Sequence, residues 1–285
     1  MLRRGLSLLS SLVLGVLWVT GSVEAKPKPR ADQGRLRVIT YNVAGLPEGV
    51  SQSRPVQNLP RIGELLSRYD LAVVQEDFAY PEVLRQRLRL PYGSAPFVRG
   101  EQLHFGDGLS QFSRLPLTEV ARVPWSACHG IFEAFFDCLT PKGLMLSRVE
   151  LVPGETIDVY DLHMDAGWSA EDKNARKAQL DQLASAIDRY SAGRAVIVGG
   201  DFNLTRKEAE LLRQFATHAG LTDACTVLAC PEPQRIDRVL FRGSATLQLQ
   251  ARNWKADRSF VDASGRPLSD HLPVVVELGW SRVGF

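Results

Sequence analysis

A carboxylate and an amide directly follow an apolar segment in the stretch AVIVGGDFNL, residues 195–204. Residues 195–198 are small or β-branched and do not alternate with polar residues, which is typical of a strand covered on both faces. Asp201 and Asn203 are two residues apart, and side chains at this spacing point to the same side of an extended chain. The sequence therefore predicts that hard oxygen ligands project together from the end of a core strand.

Polar side chains of the same kinds stand at the ends of other predicted strands. They are Asn42 in VITYNVAG, Glu76 in LAVVQED, His163 in IDVYDLH, Asp237 in RIDRVLF, and Asp270 and His271 in LSDHLPVVVEL. Catalytic residues are often carried where a strand meets a loop, because the scaffold holds the loop in place. Each residue alone also fits an ordinary structural role, such as a turn cap or an ion pair. Their joint occurrence at strand ends favours one shared site.

The elements that must position these residues follow one another from Leu36 onward without a linker. Strands are predicted at 36–43, 71–74, 108–112, 117–123, 143–151, 156–163, 195–198, 236–241, 246–251 and 274–278. Part of a helix is predicted at 59–66, and helices are predicted at 81–88, about 170–190 and 206–219. The long third helix is predicted from an apolar face that includes Leu180, Leu183 and Ile187. So many strands with few helices predict two packed sheets with helices outside, in one domain.

Taken in order, the motifs resemble those of the endonuclease/exonuclease/phosphatase superfamily. The motifs are TYNVAG, VVQED, GLSQFSRLP, DVYDLHMDAG, VGGDFN, RIDRVL and SDHLPV, and the resemblance covers about Leu36 to Leu278. This superfamily includes pancreatic-type deoxyribonuclease, apurinic endonucleases, inositol polyphosphate 5-phosphatases and neutral sphingomyelinases. The resemblance implies an α/β fold, a four-layer α/β/β/α sandwich of two mainly antiparallel sheets with helices outside. One departure is Leu162 before His163, where the family commonly has threonine.

The resemblance also implies a phosphodiesterase that depends on a divalent metal, Mg²⁺ or Mn²⁺. Mg²⁺ prefers octahedral oxygen ligands and retains water, so one or two carboxylates suffice. Glu76 would be the main ligand, assisted by Asn42. The full set of candidate metal ligands, direct, through water or at a second position, is Asn42, Glu76, Asp201, Asn203, Asp270 and His271.

The catalytic residues implied by the resemblance are His163, Asp201, Asn203, Asp237 and His271. His271 would face the scissile phosphate and would be oriented by Asp237. Either His271 or Asp201 would activate the attacking water, and no covalent intermediate is expected. Asn203 would hold a phosphate oxygen or the water. His163 would approach from the opposite side as a phosphate donor or as the proton source for the leaving group.

Two sequence features bear on which phosphate ester is hydrolysed. Lys142-Gly143 resembles a Lys-Gly step of the sphingomyelinase branch, where the lysine lies near the phosphodiester, although a solvated lysine before a turn glycine has the same pattern. The segment CHGIFEAFFDC carries Ile131, Phe132, Phe135 and Phe136 between two cysteines. These side chains either enter a lipid interface or pack on the sandwich.

The first residues predict export from the cytoplasm. Arg3 and Arg4 precede an apolar segment at 6–19, and Val23-Glu24-Ala25 offers small residues at the cleavage positions, as in a secretory signal cleaved near Ala25. A membrane anchor is the alternative, but the apolar segment is short for one. The predicted organisation is a signal peptide at 1–25, a flexible leader at 26–34 and one catalytic domain at 35–285, secreted or periplasmic. Residues 1–25 include Arg3, Arg4 and Glu24, so their removal changes the net charge from +2 to +1.

The four cysteines fit two disulfides in an oxidising compartment. They are Cys128, Cys138, Cys225 and Cys230, and of three possible pairings the local one, 128 with 138 and 225 with 230, closes the shortest loops. A zinc site is the alternative, but no C-x-x-C spacing occurs around these cysteines.

The nearly balanced charge fits a phospholipid or a small diester better than a polyanionic duplex. We therefore expect a secreted, monomeric, sphingomyelinase-like phosphodiesterase whose substrate is a phosphate ester, in particular a membrane phospholipid at an interface. An extracellular nuclease acting on DNA or RNA and a catalytically silent lipid-binding protein are the alternatives.

Overall fold

The computed structural model describes residues 31–51, 53–97, 106–130, 138 and 140–284. Its strands are β1 (Gln33–Asn42), β2 (Leu71–Gln75), β3 (Tyr92–Gly93), β4 (Ser110–Ser113), β5 (Leu117–Pro124), β6 (Gly143–Val152), β7 (Glu155–His163), β8 (Ala195–Asp201), β9 (Thr222–Asp223), β10 (Asp237–Arg242), β11 (Leu247–Ala256) and β12 (Val274–Arg282). Its helices are α1 (Pro55–Leu66), α2 (Pro81–Arg85), α3 (Ala170–Ser191), α4 (Ala209–His218) and α5 (Ala224–Val227), with a 3₁₀ turn at Arg206–Glu208.

The described strands form two sheets of six. The first sheet has the order β11–β12–β1–β2–β4–β3, and the second has the order β5–β6–β7–β8–β10–β9. Only β1 with β2 and β7 with β8 run parallel among the described pairs. In each sheet the two strands of the parallel pair therefore end next to each other, and the polar residues predicted from the sequence stand at these strand ends. We call this end of the two sheets the catalytic end.

Helices cover the outer face of each sheet and complete the sandwich. Leu59, Ile62 and Leu65 of α1 pack on outward residues of the first sheet such as Ile39 and Val74. On the second sheet, apolar residues of α3 and α4, which include Leu183, Ile187, Leu212 and Phe215, pack against Tyr160, Val196 and Val198. The predicted four-layer α/β/β/α fold is confirmed.

The layer between the sheets changes from apolar to polar along the strands, toward the catalytic end. Away from the catalytic end it is apolar, with Leu36, Val38, Leu71, Val73, Ile157, Val159, Ala195 and Ile197 in one cluster. The next positions two residues further along the same strands are Thr40, Gln75, Asp161 and Gly199, and they are buried as well. Because side chains alternate along a strand, these positions also face the opposite sheet. The strand ends therefore present polar groups in a space closed to bulk water.

Several boundaries differ from those predicted. Gln33 and Gly34, predicted as leader, belong to β1 and pair with Ser281 and Trp280 of β12. The helix predicted to include 59–66 begins at Pro55, because proline is well suited to the first helical turn. Strand β4 begins at Ser110 rather than at 108, because Gly108 has a positive φ of 70° that no strand accommodates.

Three further differences reflect short or irregular segments. The predicted helix at 206–219 is a 3₁₀ turn followed by α4, and the predicted helix at 81–88 ends at Arg85. Strand β11 continues to Ala256 past a bulge between Ala251 and Asn253. Strands β3 and β9 have two residues each, too few for a periodic signal.

Both disulfides have the predicted local pairing. Cys128 is bonded to Cys138, and Cys225 is bonded to Cys230, with Cα–Cα distances of 5.4 and 4.8 Å. The predicted interfacial side chains at 131–136 lie outside the described residues. The predicted signal peptide at 1–25 and leader residues 26–30 also lie outside them. Within the described ranges, no helix combines the length and the apolar character required to cross a bilayer.

A fully buried arginine holds the loops at the catalytic end against α3. The Nη1 atom of Arg176 donates to the carbonyl oxygens of residues 165, 166 and 167 at 3.0, 3.1 and 3.0 Å. Its Nε atom lies 2.9 Å from Oε1 of the buried Glu208, in the 3₁₀ turn after β8. This single side chain therefore joins the loop after β7 to the segment after β8.

We predict that Arg176→Met lowers the unfolding free energy by about 3–5 kcal/mol, because it leaves the buried Glu208 carboxylate unpaired. Lys177→Met is the control, since the Lys177–Asp181 pair is 59% and 70% exposed and such pairs contribute less than about 1 kcal/mol. Urea denaturation of both variants measures the difference. Equal effects of the two substitutions would contradict this prediction.

Candidate active site at the strand ends

Four of the predicted residues converge where the two parallel strand pairs end. Asn42 ends β1, Glu76 follows β2, His163 ends β7 and Asp201 ends β8. The Asn42 Nδ2 atom donates to Glu76 Oε1 at 2.9 Å and to Asp201 Oδ2 at 3.3 Å. The His163 Nε2 atom lies 3.7 Å from Asp201 Oδ2 and 3.9 Å from Glu76 Oε1. Side chains from both sheets therefore share one buried cluster.

His271 joins this cluster from the loop before β12, and Asp237 holds its ring. The Nδ1 atom of His271 lies 3.0 Å from each carboxylate oxygen of Asp237, and its Nε2 atom lies 3.8 Å from Asp201 Oδ2. Ser269 fixes the loop, because its hydroxyl donates to the Asn42 carbonyl at 2.8 Å and accepts from the His271 N–H at 3.2 Å. This is the predicted geometry, in which the Asp237 carboxylate orients the imidazole.

Asn203 reaches the cluster in a different way from the one predicted. The strand ends at Asp201, and Asn203 has a left-handed φ of 51°, so strand alternation does not set its direction. Its N–H donates to Asp201 Oδ1 at 2.9 Å, and its Nδ2 donates to the Met164 carbonyl at 2.9 Å. Asn203 therefore joins the loops after β7 and β8 while it contacts the Asp201 carboxylate.

The remaining two predicted residues are Asp270 and Lys142. Asp270 is exposed, and its Oδ1 lies 3.1 Å from the Ser269 hydroxyl oxygen. Within the described part of the chain it has no hydrogen bond or ion pair with Glu76 or Asp201. Lys142 is buried, with its Nζ 3.5 Å from the Met164 carbonyl, and is not the solvated lysine that the sequence also allowed.

Positive φ angles recur among the residues that carry the site. Ala44, Glu76 and Asn203 have φ values of 49°, 59° and 51°, which are uncommon for residues other than glycine. Such conformations cost roughly 1–3 kcal/mol each and persist only where the surrounding structure holds them. A Cβ atom at Gly45 would lie 2.4 Å from the Glu76 carbonyl oxygen, so the chain requires glycine there.

Burial and neighbouring charges shift the pKa values of the clustered groups in different directions. Burial raises the pKa of Glu76, although the Asn42 hydrogen bond and the Lys142 charge oppose it. Burial raises the pKa of Asp201 to about 6 against the opposing charge of His271. Burial lowers the pKa of His163 well below its usual range, and the charges of Lys142 and His271 add to this effect.

The pKa of His271 shifts in the opposite direction from the pKa of His163. Burial alone lowers its pKa, but the charge and hydrogen bond of Asp237 and the charges of Asp201 and Asp270 outweigh burial and raise the pKa to about 10. At neutral pH the cluster therefore contains an imidazolium at His271, a neutral imidazole at His163 and a carboxylate at Asp201.

Residues 39–271 match the Endonuclease/Exonuclease/phosphatase family. The chain belongs to this family. A sphingomyelinase from Mycobacterium tuberculosis is 35% identical over 269 residues, which cover 85% of this chain and 52% of the relative. The chain thus spans about half the length of the curated relatives that it matches.

Solved structures of other proteins share the fold of this family member. Beta toxin from Staphylococcus aureus, in a crystal structure with bound magnesium ions, has a TM-score of 0.64 at 16% identity, over 85% of this chain and 99% of its own. TDP2 from D. rerio, complexed with a single strand DNA product, has a TM-score of 0.63 at 17% identity, over 86% of this chain and 98% of its own. These similarities support the sandwich architecture.

Two overlapping groups of side chains could bind a metal in this family member. Asp201, Asp237 and His271 each offer a ligand atom within 4.8 Å of the others. However, both Asp237 oxygens and the His271 Nδ1 already face one another. Glu76 and Asp201 form a second group of carboxylate oxygens, and the Glu76 side chain keeps 20% of its area exposed. Asn42 directs its Nδ2 atom at both carboxylates, and its Oδ1 accepts from the Ala44 N–H at 3.1 Å. The carboxylates of Glu76 and Asp201 fit a hard cation such as Mg²⁺ or Mn²⁺ better than the group that contains His271.

Sequence reasoning missed several residues that support the site. Ser269, Thr40, Gln75 and Asp161 were not singled out, although the last three stand one or two positions before predicted site residues. A polar residue at an inward position of an otherwise apolar strand was the available signal. Trp125 was also missed, and its Nε1 donates to the His163 carbonyl at 2.7 Å.

We predict that His271 makes the stability of the metal-free protein depend on alkaline pH. Its folded pKa of about 10 lies above the ordinary value of 6.5. The stability that it contributes is therefore fully present below the ordinary value and is lost as the pH rises through the folded pKa. The loss of this contribution should lower the unfolding free energy by up to about 1.4 kcal/mol per pH unit between the ordinary pKa of 6.5 and the folded pKa of about 10.

Urea denaturation in the presence of chelator, at several pH values across this window, measures the slope. His271→Asn should remove the contribution of His271, whereas the control His218→Asn, at a 65% exposed side chain, should leave that contribution in place. An unchanged slope in His271→Asn would show that the Asp237 pair does not raise the His271 pKa.

Proposed function

We propose that this protein is a monomeric, divalent-metal-dependent phosphodiesterase that hydrolyses a sphingomyelin-type phospholipid by direct attack of water. The observation that carries the proposal is the convergence of Asn42, Glu76, His163 and Asp201, with distances of 3.3 and 3.9 Å between side chains of different sheets. Family membership and the sphingomyelinase relatives support phosphoric ester hydrolysis as the reaction class.

The protonation states of the clustered side chains suggest which residue acts as base, which as acid and which as hydrogen-bond donor. Asp201, as a carboxylate, accepts the proton of the attacking water as the new phosphorus–oxygen bond forms. His271, an imidazolium oriented by Asp237, faces the phosphate charge and gives its proton to the leaving oxygen as that bond breaks. His163 is neutral, so it is suited to donate a hydrogen bond to a phosphate oxygen rather than a proton to the leaving group.

Glu76 and Asp201 would hold the divalent cation, and Asn42 would join them as a ligand if its amide reverses, because its Oδ1 atom accepts from the Ala44 N–H in the metal-free chain. When bound, the cation would supply positive charge that polarises the phosphoryl oxygen and stabilises the charge developing on the leaving oxygen. The raised pKa of Glu76 in the metal-free chain fits this role, because a buried carboxylate without a cation carries a desolvation cost.

Lys142 supports a phosphodiester of the sphingomyelinase type. Its buried ammonium group donates to the Met164 carbonyl, which also accepts from Asn203. Its charge acts on both Glu76 and His163. A fixed positive charge at this place would attract the phosphate of the substrate. The nearly neutral net charge of +2 favours a zwitterionic lipid over a polyanion.

Trp168 supports a lipid surface as the physical form of the substrate. It is 72% exposed and lies on the loop that follows His163. The loop is held firmly, because Arg176 binds the three preceding carbonyls. Gly167 has a φ of 87° with the Asp172 carboxylate where a Cβ would stand. A tryptophan fixed in this exposed position is suited to the boundary between lipid headgroups and acyl chains.

We also propose that the protein acts outside the cytoplasm after cleavage near Ala25. The two disulfides support an oxidising compartment. Amino-terminal sequencing of protein recovered from the medium or periplasm tests this, and a retained Met1 would contradict it.

The decisive assay compares sphingomyelin, phosphatidylcholine, plasmid DNA and bis-p-nitrophenyl phosphate, each with Mg²⁺ and with chelator. We expect hydrolysis of sphingomyelin and of the small diester, and none with chelator. Glu76→Gln should reduce turnover by about 100-fold or more. The thermal midpoint should change little, because the Gln Oε1 atom can still accept the Asn42 hydrogen bond.

Each contrary result has a defined meaning. Cleavage of plasmid DNA without hydrolysis of lipid would replace the proposal with an extracellular nuclease. A pure, folded preparation that binds vesicles but hydrolyses no ester would identify a silent lipid-binding protein. Unchanged turnover in Glu76→Gln would remove Glu76 from the metal site. Light scattering on the same preparation reports whether the protein is a monomer.

We predict that Trp168→Ala weakens binding to sphingomyelin vesicles by about 10-fold, because it removes a large apolar side chain from the interface. Turnover of bis-p-nitrophenyl phosphate should stay the same, since this diester is soluble. Tyr92→Ala is the control, at a 40% exposed aromatic residue on the edge strand β3. Vesicle sedimentation and parallel kinetics measure both quantities. Equal vesicle binding by the two variants would exclude Trp168 as an interfacial residue.

A further inference from the structure

Three buried polar side chains from both sheets are hydrogen-bonded to one another beneath the site. The Nε2 atom of Gln75 donates to Asp161 Oδ1 at 2.6 Å, and the Thr40 hydroxyl donates to Gln75 Oε1 at 3.3 Å. The main-chain N–H of Val74 donates to Asp161 Oδ2 at 3.1 Å. Thr40, Gln75 and Asp161 are all 0% exposed. We call these three residues the inter-sheet triad.

Each member of the inter-sheet triad precedes a site residue on its own strand. Thr40 stands two positions before Asn42 on β1, and Gln75 stands one position before Glu76 at the end of β2. Asp161 stands two positions before His163 on β7, in the other sheet. The inter-sheet triad therefore connects the three strands at the level directly below the groups proposed to act on the phosphate.

A buried carboxylate at position 161 is costly for the fold. Burial raises the pKa of Asp161 well above its usual range, although its hydrogen bonds to Gln75 and Val74 oppose this effect. The same layer holds Val73, Val159 and Ile197 one step further from the site, so an apolar residue would suit the surroundings. A buried polar group of this kind is weak evidence for added stability, so a role in fixing the arrangement of the strands is the hypothesis to test.

The backbone that needs to be held in place is that of Glu76. Its φ of 59° is a left-handed conformation that must be maintained by its neighbours. The carbonyls of Gln75 and Glu76 accept from the N–H groups of Val43 and Gly45 at 2.9 and 3.0 Å. Asp161 holds the two residues immediately before Glu76, one through its main chain and the other through its side chain.

We propose that Asp161 is a positioning residue that, through Gln75 and Val74, holds Glu76 and Asn42 in register with His163 across the two sheets. The inference deepens the proposed function, because its kinetic consequence rests on Glu76 and Asn42 serving phosphodiester hydrolysis. Asp161 itself does not contact the substrate in this proposal, and its effect comes through the direction of the Glu76 side chain.

The test compares Asp161→Leu and Asp161→Asn with a matched control, Gln111→Leu. Gln111 is also 0% exposed and also spans the two sheets, because its Nε2 donates to the carbonyls of Val159 and Met145 at 3.1 and 3.3 Å. It does not precede a site residue on β4. The control therefore removes a buried inter-sheet hydrogen bond without affecting the backbone next to the site.

We expect Asp161→Leu to lower kcat for bis-p-nitrophenyl phosphate by about 100-fold relative to Gln111→Leu, with KM changed by less than about 3-fold, because a small misplacement of a catalytic group has this effect. Asp161→Asn should recover most of the rate. If the Gln75 amide reverses, Asn at position 161 can accept from the Val74 N–H and donate to Gln75, while Gln75 donates to the Thr40 hydroxyl.

Hydrogen exchange provides a measurement that does not depend on substrate or metal. In Asp161→Leu, the amides of Val43, Gly45 and Val74 should exchange faster than in Gln111→Leu, while the amide of Val38, deeper in β1, should be unaffected. If the wild-type protein hydrolyses no ester and these amides respond as stated, the proposed function fails and the positioning role stands.

A different pair of results contradicts the positioning role of Asp161 and leaves the proposed function standing. If the wild-type protein is active but Asp161→Leu matches Gln111→Leu in kcat and in exchange, Asp161 has only a structural role. A failure of Asp161→Asn to recover activity would also contradict the hydrogen-bonding scheme. If Asp161→Leu does not fold, Gln75→Met removes the same amide link, and its kcat should be about 10-fold below that of Gln111→Leu. Equality of these two variants would likewise refute the role.

Discussion

The candidate site depends on one constraint, which is that amides and carboxylates buried between the two sheets need hydrogen-bond partners, several of which lie in the opposite sheet. No bulk water reaches this layer, so an unsatisfied amide or carboxylate there would cost several kcal/mol, by order of magnitude. Asn42 meets this requirement with Asp201, and Gln75 meets it with Asp161. The same hydrogen bonds that satisfy the buried groups also align the strand ends, and the candidate site is the outermost level of this arrangement.

The loops that complete the site are held by a second set of buried contacts outside the sheets. Arg176 on α3 binds the loop after β7 and pairs with Glu208 beyond β8. Ser269 binds the end of β1 and the loop that carries His271. Loops are usually the most mobile parts of a domain. Here the loops that bear chemistry are fastened to the scaffold by groups that are themselves buried, so the side chains can be oriented before a substrate arrives.

The centre of the site explains the reaction class, whereas its rim bears on the substrate. Solved structures of the same fold include beta toxin with bound magnesium ions and TDP2 with a DNA product, so the fold alone does not select a substrate. In this chain the catalytic end carries the buried Lys142 and the exposed Trp168. The proposed phospholipid substrate rests on these two features, because a buried positive charge can attract a phosphate and an exposed indole can contact an apolar surface.

The sequence by itself determined the fold class, the family and the residues at the strand ends, because apolar periodicity and motif order are local properties of the chain. It also indicated the local disulfides, since short loops close most readily. Tertiary structure alone decided which groups meet. The contacts of Asp161 with Gln75, of Arg176 with Glu208 and of His271 with Asp237 join residues 86, 32 and 34 positions apart. Whether Asp201 and His271 carry charge depends on burial and on distances of a few ångströms. Those quantities exist only after the two sheets have packed, because desolvation and Coulomb interactions depend on position in space and not on order in the chain.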